Sequence, residues 1–219
     1  MVLGVIFDVD GVLVDSYAAH FESWQRLGRE LGVTMSEEQF VATFGRKSHE
    51  IIVEFWPHLV SSDRRVREID DRKEELFREI IAANFPAMDG AVELIDALHT
   101  AGFVLAVGSS GPPENVGLVL DQLGRRDKFR AVVTGRDVTR GKPDPQVFAI
   151  AAEWLNLPPA QCLVVEDAPA GVAAAKAAGA KCLGLASAGR DPAALAAADR
   201  VVRSLRDASV DDVLALLRQ

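Results

Sequence analysis

Val2-Leu3-Gly4-Val5-Ile6-Phe7-Asp8-Val9-Asp10-Gly11-Val12-Leu13-Val14-Asp15-Ser16 is the stretch on which the fold turns. Its first six residues are apolar without alternation, which predicts a strand buried on both faces. Asp8 and Asp10 fall where that strand ends. Side chains alternate along an extended backbone, so the two carboxylates are expected on one face with Val9 on the other. Gly11 then lets the chain turn sharply. Two carboxylates this close repel each other unless positive charge lies between them. A hard cation with oxygen ligands, Mg²⁺ above all, supplies that charge. Taken alone, the stretch equally suits a strand followed by an ordinary Asp-Gly turn, and the rest of the sequence moves the balance.

From about residue 86 onward, short apolar runs alternate with helical patterns. Strands are expected at Phe103 to Val107, Ala131 to Val133, Leu163 to Val165, Lys181 to Leu185 and Arg200 to Val202. Helices are expected near 89–100, 113–123, 145–155, 169–178, 192–197 and 209–217. This alternation predicts an α/β fold, a doubly wound parallel sheet with helices on both faces. Asp144-Pro145 and Asp191-Pro192 each read as an N-cap followed by proline at the first helical position. Residues 16–85 differ: they hold helical patterns such as Tyr17 to Leu31 and Asp63 to Asn84 and no convincing strand. The chain thus divides into an α/β catalytic core, 1–15 with 86–219, and an inserted helical cap, 16–85.

With 219 residues the chain is long enough for one full-sized domain and a smaller insert. A net charge of −8 argues against a nucleic-acid or anionic-membrane surface. It also means that an anionic substrate needs a metal or local Lys and Arg residues. Cys162 and Cys182 each begin an apolar run and read as small core residues, with neither metal-ligand spacing nor a disulfide framework. No basic leader precedes Asp8 and no apolar run reaches ~18 residues, so a soluble, cytoplasmic protein is expected.

In an open parallel sheet, ligands bind beyond the carboxyl ends of the strands. The first strand delivers Asp8 and Asp10 there. The second ends in Gly108-Ser109-Ser110-Gly111, with a hydroxyl and backbone N–H groups. The strand Leu163 to Val165 ends in Glu166-Asp167, and the preceding loop Gly141-Lys142-Pro143-Asp144-Pro145 carries one lysine. Each has an ordinary alternative: a turn serine, a solvated lysine, an acid pair at a helix start. Gly141-Lys142 is no phosphate loop of the G-x-x-x-x-G-K-[ST] kind, because Pro143 follows the lysine. The four deliveries to one edge of one sheet are what carries the reading.

With these motifs the chain resembles the haloacid dehalogenase superfamily over nearly its whole length. It is similar to the capped branch that holds sugar-phosphate phosphatases and β-phosphoglucomutases. Asp8 to Ser16 matches the first motif, D-x-D-G-V-L-x-D-S, without a gap; Ser109, Lys142 within G-K-P-x-P, and Glu166-Asp167 match the rest. The resemblance implies that Asp8 is the nucleophile and forms an aspartyl-phosphate. It implies that Asp10 is the general acid and base and binds Mg²⁺ through its carbonyl. Asp8 and Asp167 would ligate the ion, with Glu166 beside it or behind it. Ser109 and the Ser110 amide would hold the phosphoryl oxygens, and Lys142 would offset their charge and orient Asp8. A free aspartate has a pKa of ~3.9, so Asp8 is expected to ionise unaided, whereas a protonated Asp10 needs a raised value.

In the insert, Lys73 interrupts the apolar stripe Val66, Ile69, Leu76 and Ile80. Its ammonium either snorkels to solvent or is aimed into the cleft. His20 flanks the stripe of Tyr17, Phe21, Trp24, Leu27 and Leu31, and its spacing and that of Lys73 are similar to those of β-phosphoglucomutases. The turn Gly45-Arg46-Lys47-Ser48-His49 is similar to their substrate-contacting loop, but His49 stands where those mutases carry arginine. Arg46, Lys47, His49, His20, Lys73 and Ser110 are accordingly the candidate substrate-binding residues, while His58 and His99 read as surface residues. The resulting expectation is a Mg²⁺-dependent phosphatase. It would act as a monomer on a small phosphorylated metabolite, a sugar phosphate, with no nucleic-acid or membrane partner. A β-phosphoglucomutase is the alternative, and a catalytically silent phospho-ligand-binding protein a minor one.

Overall fold

The protein is described by a computed structural model covering residues 2–43, 46–187 and 191–218. The chain forms two compact units, Met1–Asp15 with Pro86–Gln219, and Ser16–Phe85.

The first unit is built on a parallel sheet of β1 (Gly4–Phe7), β2 (Val104–Gly108), β3 (Phe129–Val133), β4 (Cys162–Glu166), β5 (Lys181–Leu185) and β6 (Arg200–Val202). The spatial order is β3-β2-β1-β4-β5-β6, so the chain winds outward in both directions from β1. Every residue of β1 and β4 is buried, because helices cover both faces; this is why neither strand alternates. The helices α7 (Gln146–Leu155) and α8 (Pro169–Ala178) pack together against the sheet, as do α5 (Ala91–Thr100) and α9 (Val210–Leu217), with α6 (Pro113–Leu123) following β2. Cys162 and Cys182 lie fully buried in the apolar layer with Ile6, Phe148 and Val164. Burial pushes their thiols up, to about 11 and about 12.

Two expectations need correction. Pro145 does not open α7; it is the N-cap, and the Asp144 carboxylate accepts from Gln146 N at 3.0 Å. The segment near 192–197 is a 3-10 turn, Pro192–Leu195, closed by Asp191 accepting from Ala193 N at 2.9 Å.

The second unit is all helical: α1 (Tyr17–Leu31), α2 (Glu37–Thr43), α3 (Ser48–Phe55) and α4 (Asp63–Ala83). Trp24, Leu27, Phe40, Ile52, Trp56 and Ile69 form a core of its own. Trp24 and Trp56 meet edge to face, their centroids 5.4 Å apart. The helix α4 is capped by Ser62, which accepts from Arg65 N at 3.2 Å. Among the described residues, no helix is long and apolar enough to cross a membrane.

Candidate active site

β1 is central, and the strand order reverses beside it, where ligands bind in sheets of this kind. Asp8 follows directly, its N–H donating to Val165 O at 3.0 Å, which extends the β1–β4 pairing by one residue. Val9 to Val14 then wind into a tight turn in which the N–H groups of Leu13 and Val14 donate to Val9 O and Gly11 N donates to Val14 O. Val12, Leu13 and Val14 are fully buried, and such anchors contribute roughly 1.5–3 kcal/mol each. Gly11 has φ +76°, and a Cβ there would lie 1.9 Å from Asp167 Oδ2. Both the backbone conformation and the close approach of a carboxylate therefore require glycine.

Lys142 ties the constellation together. Its ammonium donates to Asp8 Oδ1 and to Glu166 Oε1, each at 2.7 Å, and stands 4.7 Å from the centre of the Phe148 ring. The other Glu166 oxygen accepts from Ala168 N at 2.7 Å, so this carboxylate is held from two sides. Carboxylate oxygens of Asp8, Glu166 and Asp167 all lie within 4.8 Å of one another, and all three residues are buried. The Asp10 side chain is not one of that group; its Oδ2 lies 3.8 Å from the point where Gly111 would carry a Cβ, near the loop after β2.

The electrostatics correct one expectation. Asp8 does not stay in the usual carboxylate range: burial pushes it up to about 7, opposed by Lys142 and reinforced by Glu166 and Asp10. Burial alone would lower the Lys142 pKa, but the two carboxylates outweigh it and hold the ammonium above its ordinary value. Lys142 thus bonds two of the three clustered buried carboxylates, Asp8 and Glu166. The cluster's donors are all oxygens, which fits a hard divalent cation and not a soft one. Asp8, Glu166 and Asp167 are the side chains that could hold it.

Ser109 lies at the end of β2, 1 % exposed. Its N–H donates to Val133 O at 3.0 Å, and its hydroxyl accepts from Gly111 N at 3.0 Å. Ser110 beside it is exposed. Asp8, Ser109, Lys142, Glu166 and Asp167 are thereby carried by β1, β2, β4 and the loop before α7, at the carboxyl edge of one sheet.

The haloacid dehalogenase-like hydrolase family matches residues 2–179, from β1 through α8. The chain is a haloacid dehalogenase-like hydrolase. It is 35% identical to validoxylamine A 7'-phosphate phosphatase of Streptomyces hygroscopicus subsp. limoneus, over 92% of this chain and 93% of that protein. It is 29% identical to β-phosphoglucomutase of Bacillus subtilis, over 94% of this chain and 92% of that one. Among solved structures, CbbY of Rhodobacter sphaeroides in complex with phosphate matches with a TM-score of 0.86 and 25% identity, over 97% of this chain and 99% of that chain.

In the helical unit of this hydrolase, Lys73 does not snorkel. It is 2 % exposed, with its ammonium 2.8 Å from His20 Nδ1 and 2.9 Å from Glu74 Oε1. The ammonium also stands 5.6 Å from the Trp24 ring centre and 5.5 Å from that of Phe77. His20 stacks on Phe77 with centroids 3.9 Å apart. Glu74 in turn accepts from Ser48 Oγ at 2.9 Å. Sequence reasoning missed Glu74, although an acid next to a lysine on a buried stripe is a visible cue. Arg46 is exposed and pairs with Glu54 at 2.8 Å and Glu50 at 3.8 Å; Lys47 and His49 are exposed. Ser48 and His49 open α3, Arg46 and Lys47 precede it outside any helix, and Gly45 lies outside the described residues. His58 and His99 are exposed surface residues. Also missed was Phe148 under Lys142, which nothing in its local sequence distinguishes from an ordinary core residue.

Proposed function

We propose that this hydrolase is a Mg²⁺-dependent phosphatase that releases phosphate from a small phosphorylated metabolite, a sugar phosphate, through an aspartyl-phosphate. The observation that carries the reading is the buried cluster in which Lys142 bridges Asp8 and Glu166 at 2.7 Å each with Asp167 alongside. An aspartate fixed by a lysine in a buried, cation-seeking pocket suits attack on phosphorus better than it suits passive ligand binding.

In the first step an Asp8 oxygen forms a bond to phosphorus while the ester P–O bond breaks, and the leaving oxygen takes a proton from Asp10. In the second, water attacks the same phosphorus and gives its proton to Asp10, and the Asp8–phosphorus bond breaks to return the carboxylate and free phosphate. Ser109 and the Ser110 amide hold the phosphoryl oxygens, and Lys142 neutralises charge while keeping Asp8 aimed. Mg²⁺, when bound by Asp8, Asp167, the Asp10 carbonyl and Glu166 beside or behind them, supplies the charge that keeps these carboxylates ionised and stabilises the phosphoryl oxygens. Residues of the helical unit, His20, Lys73, Arg46, Lys47 and His49, are assigned to the leaving group and so to specificity.

A screen of purified protein with Mg²⁺ against ~100 phosphorylated metabolites tests this, with released phosphate as the readout. Turnover on a sugar phosphate is expected, lost on EDTA treatment and in Asp8→Asn. Full activity after exhaustive chelation, or an active Asp8→Asn, overturns the mechanism. The similarity to a β-phosphoglucomutase supports a second reading, transfer of the phosphoryl group between sugar hydroxyls. Supplying β-glucose 1-phosphate with a trace of the 1,6-bisphosphate separates the two. Rapid formation of glucose 6-phosphate without free phosphate favours the mutase.

A further inference from the structure

We infer that Gly135, secured by Thr134 and Asp137, is a positioning residue that sets the height of the Ser109–Gly111 loop over the reacting phosphorus. The inference rests on the phosphatase reading given above. The observations lie just past the ends of β2 and β3. Their pairing continues beyond the strands, first as Ser109 N donating to Val133 O at 3.0 Å, then as Gly135 N donating to Gly111 O at 2.8 Å. Between those two rungs the backbone carries Ser109 and Ser110, the groups assigned to the phosphoryl oxygens.

Gly135 does not adopt a left-handed backbone, so an L-residue there meets no conformational barrier. What excludes a side chain is space alone. A Cβ on Gly135 would lie 2.4 Å from Ser110 O and 3.2 Å from Gly111 O. Both obstacles are main-chain atoms and cannot swing aside as a side-chain tip does. The segment carrying Gly135 is itself fixed. Thr134 N and Thr134 Oγ1 both donate to Asp137 Oδ2 at 2.8 Å, and Asp137 N donates back to Thr134 O at 3.0 Å. Arg136 pairs with Glu114 in the first turn of α6 at 2.7 Å. Thr134 is buried. A rigid turn thus presses a side-chain-free position against the carbonyls of the loop, fixing where its amides and the Ser109 hydroxyl stand.

Relieving the overlap in Gly135→Ala requires the Ser110 peptide to move on the order of 1 Å. A misplacement of that size in a group aligned on reacting atoms costs about 100-fold in rate. The carboxylates on β1 and β4 are anchored separately, so the cation site is expected to be spared. The test measures kcat/KM with p-nitrophenyl phosphate, calorimetric affinity for inorganic phosphate with Mg²⁺ present, and affinity for Mg²⁺ alone. Gly135→Ala is expected to lower kcat/KM about 30–100-fold and phosphate affinity at least about tenfold, with Mg²⁺ affinity held within about twofold. Thr134→Val, which removes the hydroxyl and keeps the shape, is expected to lose about 3–10-fold on the first two readouts and nothing on the third. It carries the test alone if Gly135→Ala does not fold. Phosphate affinity and kcat/KM unchanged in the folded variants overturn the inference, as does a parallel loss of Mg²⁺ affinity. A wild type that binds phosphate but hydrolyses no ester overturns the functional reading instead, and one that does neither overturns both.

Discussion

Lys142 shows most directly how single residues here depend on their neighbours. Its ammonium is shared between Asp8 and Glu166, all three being nearly enclosed. Removing one member of such a set leaves the others buried and uncompensated, which costs about 3–5 kcal/mol. Lys142→Met is therefore expected to lower unfolding stability by about that amount in urea at pH 8 with chelator present. The loss is expected to shrink at lower pH. Asp8 already has its pKa raised to about 7, so acidification protonates it and removes one of the two stranded charges. An equal loss at pH 8 and pH 5.5 would show that packing on Phe148, not charge, is what the lysine supplies. Lys73 makes the same point in the helical unit, bound to His20 and Glu74. Lys73→Ala is expected to lower kcat/KM on a sugar phosphate about 10–100-fold, and much less on p-nitrophenyl phosphate, whose leaving group has no hydroxyls. Equal losses on both would place Lys73 in the chemistry or the fold.

At the scale of elements, α4 combines a buried stripe with a crowded charged flank. Arg72 meets Glu30 of α1 at 2.8 Å and Glu75 and Glu79 of its own helix, an exposed network whose separate pairs contribute little. Asp70 is different. Burial and then Glu74 push its carboxyl up to about 6, against the pull of Lys73 and His49 and with Asp71 adding to the rise. A folded-state pKa above the ordinary 3.8 means that the folded helix holds the proton more tightly than the unfolded chain. The associated stability is complete below about pH 4 and is lost as pH rises through about 6. Asp70→Asn, uncharged throughout, is expected to stabilise the protein at pH 8 by about 1–2 kcal/mol after allowance for solvent screening. At pH 4 it should change nothing. Thermal unfolding at the two pH values checks this, and stabilisation at pH 4 alone would contradict it.

Over the whole molecule, a cation bound at the β1–β4 edge is a constraint on the folded chain that the unfolded chain lacks. Mg²⁺ at 100 times its dissociation constant is expected to raise unfolding stability by about 2.7 kcal/mol. Amide exchange should slow most around Asp8 to Gly11 and Ala168, and no protection there would remove the cation from this edge. The strands and their parallel arrangement were legible in the sequence, whereas their order across the sheet came only from the structure. Every strand fell within one or two residues of its expected place, because unbroken apolar runs between helical patterns leave a buried parallel sheet as the consistent arrangement. The helices α1 and α4 were legible for the same reason, several turns of sustained 3.6-residue periodicity. The helices α2 and α3 span two turns each, too short for a period to declare itself. The Asp191-Pro192 start fell where the sequence placed it, but it opens only a short 3-10 turn, and α7 begins one residue later than its Asp144-Pro145 start predicted. In the site, the residue types and their strand ends came from sequence. The raised pKa of Asp8, the burial of Lys73 against Glu74 and the contact of Gly135 with Ser110 did not. Each of these depends on groups brought together from separate stretches of chain or on exclusion from water. Sequence by itself determined what each element delivers; tertiary structure decided how dry, how close and how charged the delivered groups become, because desolvation and Coulomb energies depend on distances through space.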